Sequence, residues 1–144
     1  MYRIFKLVLV SCLMQQVCLA QKNYSLTPYY VQFVDNLDNT LKLVSNFKPD
    51  QHKILFKGGF RSDTLKIFID NKFRQEMVLT SDKSLSNTEK YFDFYCTKCR
   101  VRLLDGGDCI EFIVFDEYKL VVINKVGRND EWYVTFSNYY WFSE

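Results

Sequence analysis

The residues of this chain best suited to chemistry are a cluster of cysteines and a single histidine. Cys96-Thr97-Lys98-Cys99 sets two thiols three positions apart, Cys109 follows, and His52 is the one histidine. Together they are the ligand types of a three-cysteine, one-histidine zinc site; separately they are disulfide partners, or a nucleophile with its base. Any Ser-His-Asp or Cys-His centre would have to use His52. That residue follows Lys48-Pro49-Asp50-Gln51 and precedes an apolar run, which predicts an exposed histidine at the edge of a turn and not a general base. The carboxylate pairs Asp35 with Asp38, Asp105 with Asp108, and Asp116 with Glu117 have the composition used for glycoside hydrolysis or calcium binding. Each falls in a predicted turn, where such side chains bond neighbouring backbone amides. The sequence carries no glycine-rich phosphate loop, nucleophile elbow or His-Glu metal motif. The expectation is no catalytic residue, no metal and no cofactor.

The compartment decides how the cysteines are read. Arg3 and Lys6 precede an apolar run over 7–14, and Val17-Cys18-Leu19-Ala20 places small residues before Gln21. This is the pattern of a secretory signal peptide. The apolar core is shorter than the roughly 20 residues that span a bilayer, and Gln15-Gln16 interrupts it. Residues 1–20 are therefore expected to be removed, leaving 21–144 as one exported domain with no membrane span. Cys12 and Cys18 leave with the leader, and the oxidising compartment favours a disulfide among Cys96, Cys99 and Cys109. Their odd number leaves one thiol free or bridging two chains. Asn23-Tyr24-Ser25 is a glycosylation sequon near the new terminus, making Asn23 the expected acceptor. Loss of Arg3 and Lys6 brings the 19 basic residues level with the 17 acidic ones, so no charge excess suits a nucleic acid.

The elements that must position these groups are strands. Ala20 is the only alanine, while Phe, Tyr, Val, Ile and Thr are abundant, a strand-forming composition. Alternation is clearest where Leu65, Ile67 and Ile69 interleave with Lys66, Phe68 and Asp70. Similar runs cover 29–34, 41–44, 53–56, 77–79, 91–95, 101–104, 110–115, 120–123 and 131–136. Turn signals separate them, among them Gly58-Gly59, Asp70-Asn71, Asp105-Gly106-Gly107-Asp108 and Gly127-Arg128-Asn129-Asp130. Short strands with such turns, and no amphipathic helix between them, predict an all-β antiparallel sandwich, with a closed lipocalin-like barrel as the alternative. The polar stretch 80–90 reads as an exposed loop. The predicted hairpin of 101–104 and 110–115 brings its arms together near Cys99 and Cys109, favouring that disulfide over Cys96–Cys109. Cys96 and Cys99 would point to opposite faces of one strand, so Cys96 is expected to be free or to link a dimer. Trp132, Tyr133, Phe136, Tyr139, Tyr140, Trp141 and Phe142 crowd the end of the chain. One face of a final strand accounts for part of them as core, and the rest suit a partner-binding surface.

Residues 29–112 resemble the plant self-incompatibility protein family of small secreted proteins. The resemblance rests on Cys96-Thr97-Lys98-Cys99, the alternating run that follows it, Asp105-Gly106, and Cys109 with Phe112. Phe92-Asp93-Phe94-Tyr95 precedes them, and Val31-Gln32-Phe33-Val34-Asp35-Asn36-Leu37, Leu41-Lys42-Leu43-Val44, His52 and Gly58 stand earlier in the same order. Two cysteines of the family pattern have no counterpart near 43–46 and 67–73, and the chain continues beyond the pattern through 113–144. The resemblance implies a compact β-sandwich without a catalytic site that acts outside the cell on a surface partner. It places specificity in loops, here 35–39, 47–52 and 80–89. The function expected is a secreted non-enzymatic recognition or signalling protein that binds an extracellular protein or receptor. The alternative is a lipocalin-like carrier of a small apolar ligand.

Overall fold

The computed structural model describes residues 25–34, 42–43, 47–82 and 87–140. The expected leader, Asn23, the turn at Asp35 and Asp38, and the aromatics Trp141 and Phe142 lie outside the described residues. Among the described residues eleven strands follow in chain order: β1 (Tyr29–Val34), β2 (Lys42–Leu43), β3 (Gln51–Phe56), β4 (Arg61–Ile69), β5 (Lys72–Thr80), β6 (Lys90–Tyr95), β7 (Lys98–Asp105), β8 (Asp108–Phe115), β9 (Leu120–Val126), β10 (Glu131–Ser137) and β11 (Tyr139–Tyr140). They form a five-stranded sheet in the order β1-β10-β9-β3-β6, a four-stranded sheet in the order β5-β4-β7-β8, and a short β11-β2 ladder.

The chain is an all-β sandwich, and the lipocalin-like barrel is overturned because the two large sheets are separate and do not close on each other. The four-stranded sheet is antiparallel throughout. The five-stranded sheet is mixed: β1 runs parallel to β10 and β3 runs parallel to β9, while β10 with β9 and β3 with β6 are antiparallel. The parallel pairs arise because the chain visits the sheets in turn. It leaves the five-stranded sheet after β3 for the β4–β5 hairpin, returns for β6, leaves again for the β7–β8 hairpin, and closes with β9–β10. Strands that become neighbours after such excursions have no hairpin to force an antiparallel pairing.

Two-residue alternation builds the core from both sheets. Ile54 and Phe56 of β3, Val121 and Ile123 of β9, and Trp132, Val134 and Phe136 of β10 face Leu65, Ile67 and Ile69 of β4, Val101 and Leu103 of β7, and Ile110, Phe112 and Val114 of β8. Asp70 and Asn71, both at positive φ, make the β4–β5 turn, as short polar side chains do in two-residue hairpins. β5 is much longer than the predicted 77–79. Its first half is exposed on both faces, because it is a sheet edge paired with β4 alone, and such a segment lacks the alternation that marks a half-buried strand. At the opposite edge, Thr27 exchanges hydrogen bonds with Cys109 of β8 and Tyr29 donates to the Glu111 carbonyl at 2.7 Å. The residues leading into β1 thus tie the two sheets together.

Gly59, at φ +85°, lies in the crossover from β3 to β4, where a Cβ would stand 2.0 Å from the Lys125 carbonyl oxygen. Gly59→Ala is expected to cost at least about 3 kcal/mol, because left-handed strain adds to a clash with backbone. Gly106 is also at positive φ but has nothing within 4 Å of its Cβ position, so Gly106→Ala is expected to cost only about 1 kcal/mol. Urea denaturation of the two variants checks the contrast.

Candidate functional site

The interior polar residues are tied into the fold. His52 is fully buried, which corrects the expectation of an exposed loop-edge histidine. β3 begins at Gln51, two residues before the predicted strand, and puts His52 in phase with Ile54 and Phe56 on the inward face. Nδ1 lies 2.9 Å from the Tyr118 carbonyl and Nε2 2.8 Å from the Cys96 carbonyl. The ring stacks on Phe94 at 5.3 Å, and Asp116 Oδ1 is 3.9 Å from Nε2. Both neighbours are acceptors, so a neutral imidazole, with one N–H, makes one of these bonds and the imidazolium makes both. With a backbone carbonyl within hydrogen-bond distance of each nitrogen, His52 sits between the start of β3 and the β6–β7 and β8–β9 connections.

Cys96 and Cys99 form a disulfide with a Cα separation of 6.0 Å, and Cys109 is a buried free thiol. The expected Cys99–Cys109 bridge is therefore corrected, as is the free or dimer-linking role of Cys96. In the hairpin register Cys99 stands opposite Val114, and Cys109 stands opposite Leu104 beside the turn. The two thiols sit at opposite ends of the arms and on opposite faces. The predicted objection to Cys96–Cys99 fails because Cys96 lies outside any strand: β6 ends at Tyr95 and β7 begins at Lys98, so Cys96-Thr97 is a corner and strand alternation does not apply. Burial pushes the Cys109 thiol above its ordinary value.

A second buried cluster went unread in the sequence. Lys125 follows Val121 and Ile123 at the inward phase of β9, and only 8% of it is exposed. Its ammonium reaches the facing sheet, donating to Asp63 Oδ2 at 3.2 Å and to Asp105 Oδ2. It lies 4.6 Å from the Trp132 ring centre and 5.4 Å from that of Phe60. Trp132 Nε1 donates in turn to Asp108 Oδ2 at 3.0 Å. Burial pushes the Asp105 carboxyl upward against the opposing hydrogen bond and charge of Lys125. Burial by itself depresses the Lys125 ammonium, but hydrogen bonds and attraction from Asp105 and Asp63 hold it above its ordinary value. Asp105 and Asp108 thus do more than shape their turn: they bind the two sheets together. A charged residue at the apolar phase after Val121 and Ile123 was the signal that could have found Lys125. Asp116 is exposed, and its carboxyl is lowered chiefly by a hydrogen bond from Lys119.

What remains open is surface. On the outer face of the four-stranded sheet, register sets Lys66 opposite Glu76, Phe68 between Phe73 and Arg102, Arg102 opposite Glu111, Arg100 opposite Ile113, and Lys98 opposite Phe115. Phe73 is 57% exposed and Phe115 45%. Glu111 takes both guanidiniums, Arg102 at 2.7 Å and Arg100 at 3.4 Å. Among the described residues Lys98 meets no carboxylate; its ammonium lies 5.4 Å from the Phe115 ring centre. A groove of about 270 Å³ between Asp70, Asn71, Lys98, Cys99, Arg100 and Ile113 runs into this face. A larger open cleft of about 740 Å³ is lined by residues 59–62 and 80–82, where β4 begins and β5 ends, but its hydroxyls are engaged. Ser81 Oγ donates to the Lys57 carbonyl and accepts from the Phe60 amide, both at 2.9 Å, and Ser62 Oγ lies 3.2 Å from Thr80 Oγ1. Among the described residues no group of three or more His, Cys, Asp or Glu side chains is placed to hold a metal.

Compared with family models, curated proteins and solved structures, the chain matches none.

Lys125→Met is expected to cost about 3 kcal/mol near neutral pH, because it leaves the nearly buried Asp105 and the partly buried Asp63 without their cation. Burial already raises the folded-state value of Asp105, so folded protein binds that proton more readily than unfolded chain does. The deficit should therefore shrink as pH falls through that value, which urea midpoints at neutral and acidic pH will show. Protein beginning at Gln21 should take up no iodoacetamide when native, one label on denaturation without reductant, and three after reduction, with mass spectrometry locating the first at Cys109.

Proposed function

We propose that this chain is a secreted, non-enzymatic recognition protein that binds an extracellular protein or receptor. The observation that carries the reading is the outer face of the four-stranded sheet, where exposed Phe73 and Phe115 flank Arg100, Arg102 and Lys98. Aromatic and arginine side chains together are the composition of interface centres. The groups able to do acid-base chemistry support a structural role: His52 is buried between two backbone carbonyls and Lys125 between two carboxylates. Export is supported by the leader pattern of 1–20 and by the Cys96–Cys99 disulfide, and the resemblance to plant self-incompatibility proteins favours the same role. The apolar-carrier reading has less support, because Ile54, Phe56, Leu65, Ile67, Leu103 and Ile123 fill the space between the sheets with no solvent contact, where a carrier keeps a cavity.

The test is saturable binding of fluorescently labelled mature protein to intact cells of the producing organism. The double variant Phe73→Ser with Phe115→Ser should weaken binding at least about tenfold, the loss of central aromatic anchors, with an unchanged urea midpoint. Binding that does not saturate, or that ignores these substitutions, would count against the proposal.

A further inference from the structure

Resting on that reading, we infer that the outer face of the four-stranded sheet receives an acidic protein segment, read by the alternating basic stripe of β7. Lys98, Arg100 and Arg102 occupy every second position of one strand, so alternation directs all three to the outer face while Cys99, Val101 and Leu103 are buried. Successive members stand about 6.7 Å apart along the strand. Lys66 lies on the same face across β4.

The charges of this face do not cancel. The four cations meet Glu76, paired with Lys66 at 3.5 Å, and Glu111, shared by Arg100 and Arg102. A third carboxylate, Asp70, stands at the rim and accepts from the Arg100 backbone amide at 2.9 Å, which still leaves three carboxylates against four cations. One carboxylate cannot neutralise two guanidiniums, and among the described residues Lys98 has an aromatic ring in place of an anion. The face therefore keeps a positive excess on a mature chain whose basic and acidic residues balance. Half-exposed Arg100 has a planar fork suited to a second carboxylate.

The occupant suited to this stripe is a polypeptide with acidic side chains at alternate positions, since an extended strand repeats its own side chains at the same spacing. An acidic polysaccharide is the weaker match. Sugars stack on open aromatic faces, whereas Phe68 and Phe73 meet edge to face at 5.6 Å and the Lys98 ammonium lies over the Phe115 ring.

The test uses synthetic peptides about 12 residues long, one of Glu-Thr repeats and one of the same composition with its glutamates contiguous, beside a heparin fragment. The alternating peptide should bind at least about tenfold more tightly than the contiguous one, more weakly as salt rises, and at least about tenfold less to the Lys98→Ala, Arg100→Ala double variant. Arg102 stays in place to hold Glu111, and the urea midpoint checks that the variant folds. Equal binding of the two peptides, no effect of the variant, or heparin binding that is tighter and lost in the same variant would overturn the inference. Cell binding that depends on Phe73 and Phe115 while the peptides show no preference would overturn the acidic partner alone and leave the recognition reading standing.

Discussion

The sandwich depends on a cation held between its sheets. Lys125 projects from β9 of one sheet to Asp63 and Asp105 of the other, under the rings of Phe60 and Trp132. Desolvating an ammonium and two carboxylates is expensive, and charge pairing with the aromatic walls offsets that cost only at one relative placement of the sheets. The apolar contacts elsewhere in the core are less discriminating, because they tolerate sliding so long as burial is conserved. The backbone around the cluster is shaped to the same end. The Lys125 amide donates to the Gly58 carbonyl, and Gly59 approaches the Lys125 carbonyl so closely that only a residue without a side chain fits. The crossover from β3 to β4 therefore runs directly over the ion cluster and carries Phe60 into its wall.

The other end of the sandwich is held by backbone partners instead of charge. His52 joins the start of β3 to the Cys96 and Tyr118 carbonyls, and the Cys96–Cys99 disulfide closes the corner that begins β7. The entry to β1 closes the β8 edge through Thr27 and Tyr29. With both ends and one edge fastened, β7 is a central strand hydrogen-bonded on both sides, and its inward residues are committed to core. Its outward residues are consequently presented in fixed register, and preorganisation of this kind lowers the ordering cost of binding. The charged and aromatic side chains of the outer face thus owe their arrangement to contacts made on the opposite side of the same strand.

Much of this architecture was legible in the residue order. Alternation located β4, β7, β8 and β10, and Asp70-Asn71 and Gly106-Gly107 marked their turns, because a strand with one buried face must repeat every second residue. Edges were less legible: the first half of β5 touches no core, so its residues carry no period. His52 was misread because a turn signal at Pro49 and Asp50 runs straight into a strand, and a shift of two residues in the strand start separates a surface histidine from a buried one. The disulfide was misread because proximity in a hairpin depends on distance from the turn, and Cys99 and Cys109 differ in that distance by several positions.

The sequence by itself determined that the chain is all-β and which faces of β4, β7, β8 and β10 are apolar. Those properties follow from local geometry, which each residue's neighbours in the chain settle. Only the tertiary structure decided that Lys125 finds Asp63 and Asp105, that Cys96 pairs with Cys99 and not Cys109, that β3 and β9 run parallel, and that the aromatic and basic residues of four strands meet on one open face. Apart from the disulfide, which depends on the corner between β6 and β7, those are pairings between segments distant in the chain, chosen by how two sheets bury each other's surfaces, and no local period encodes them.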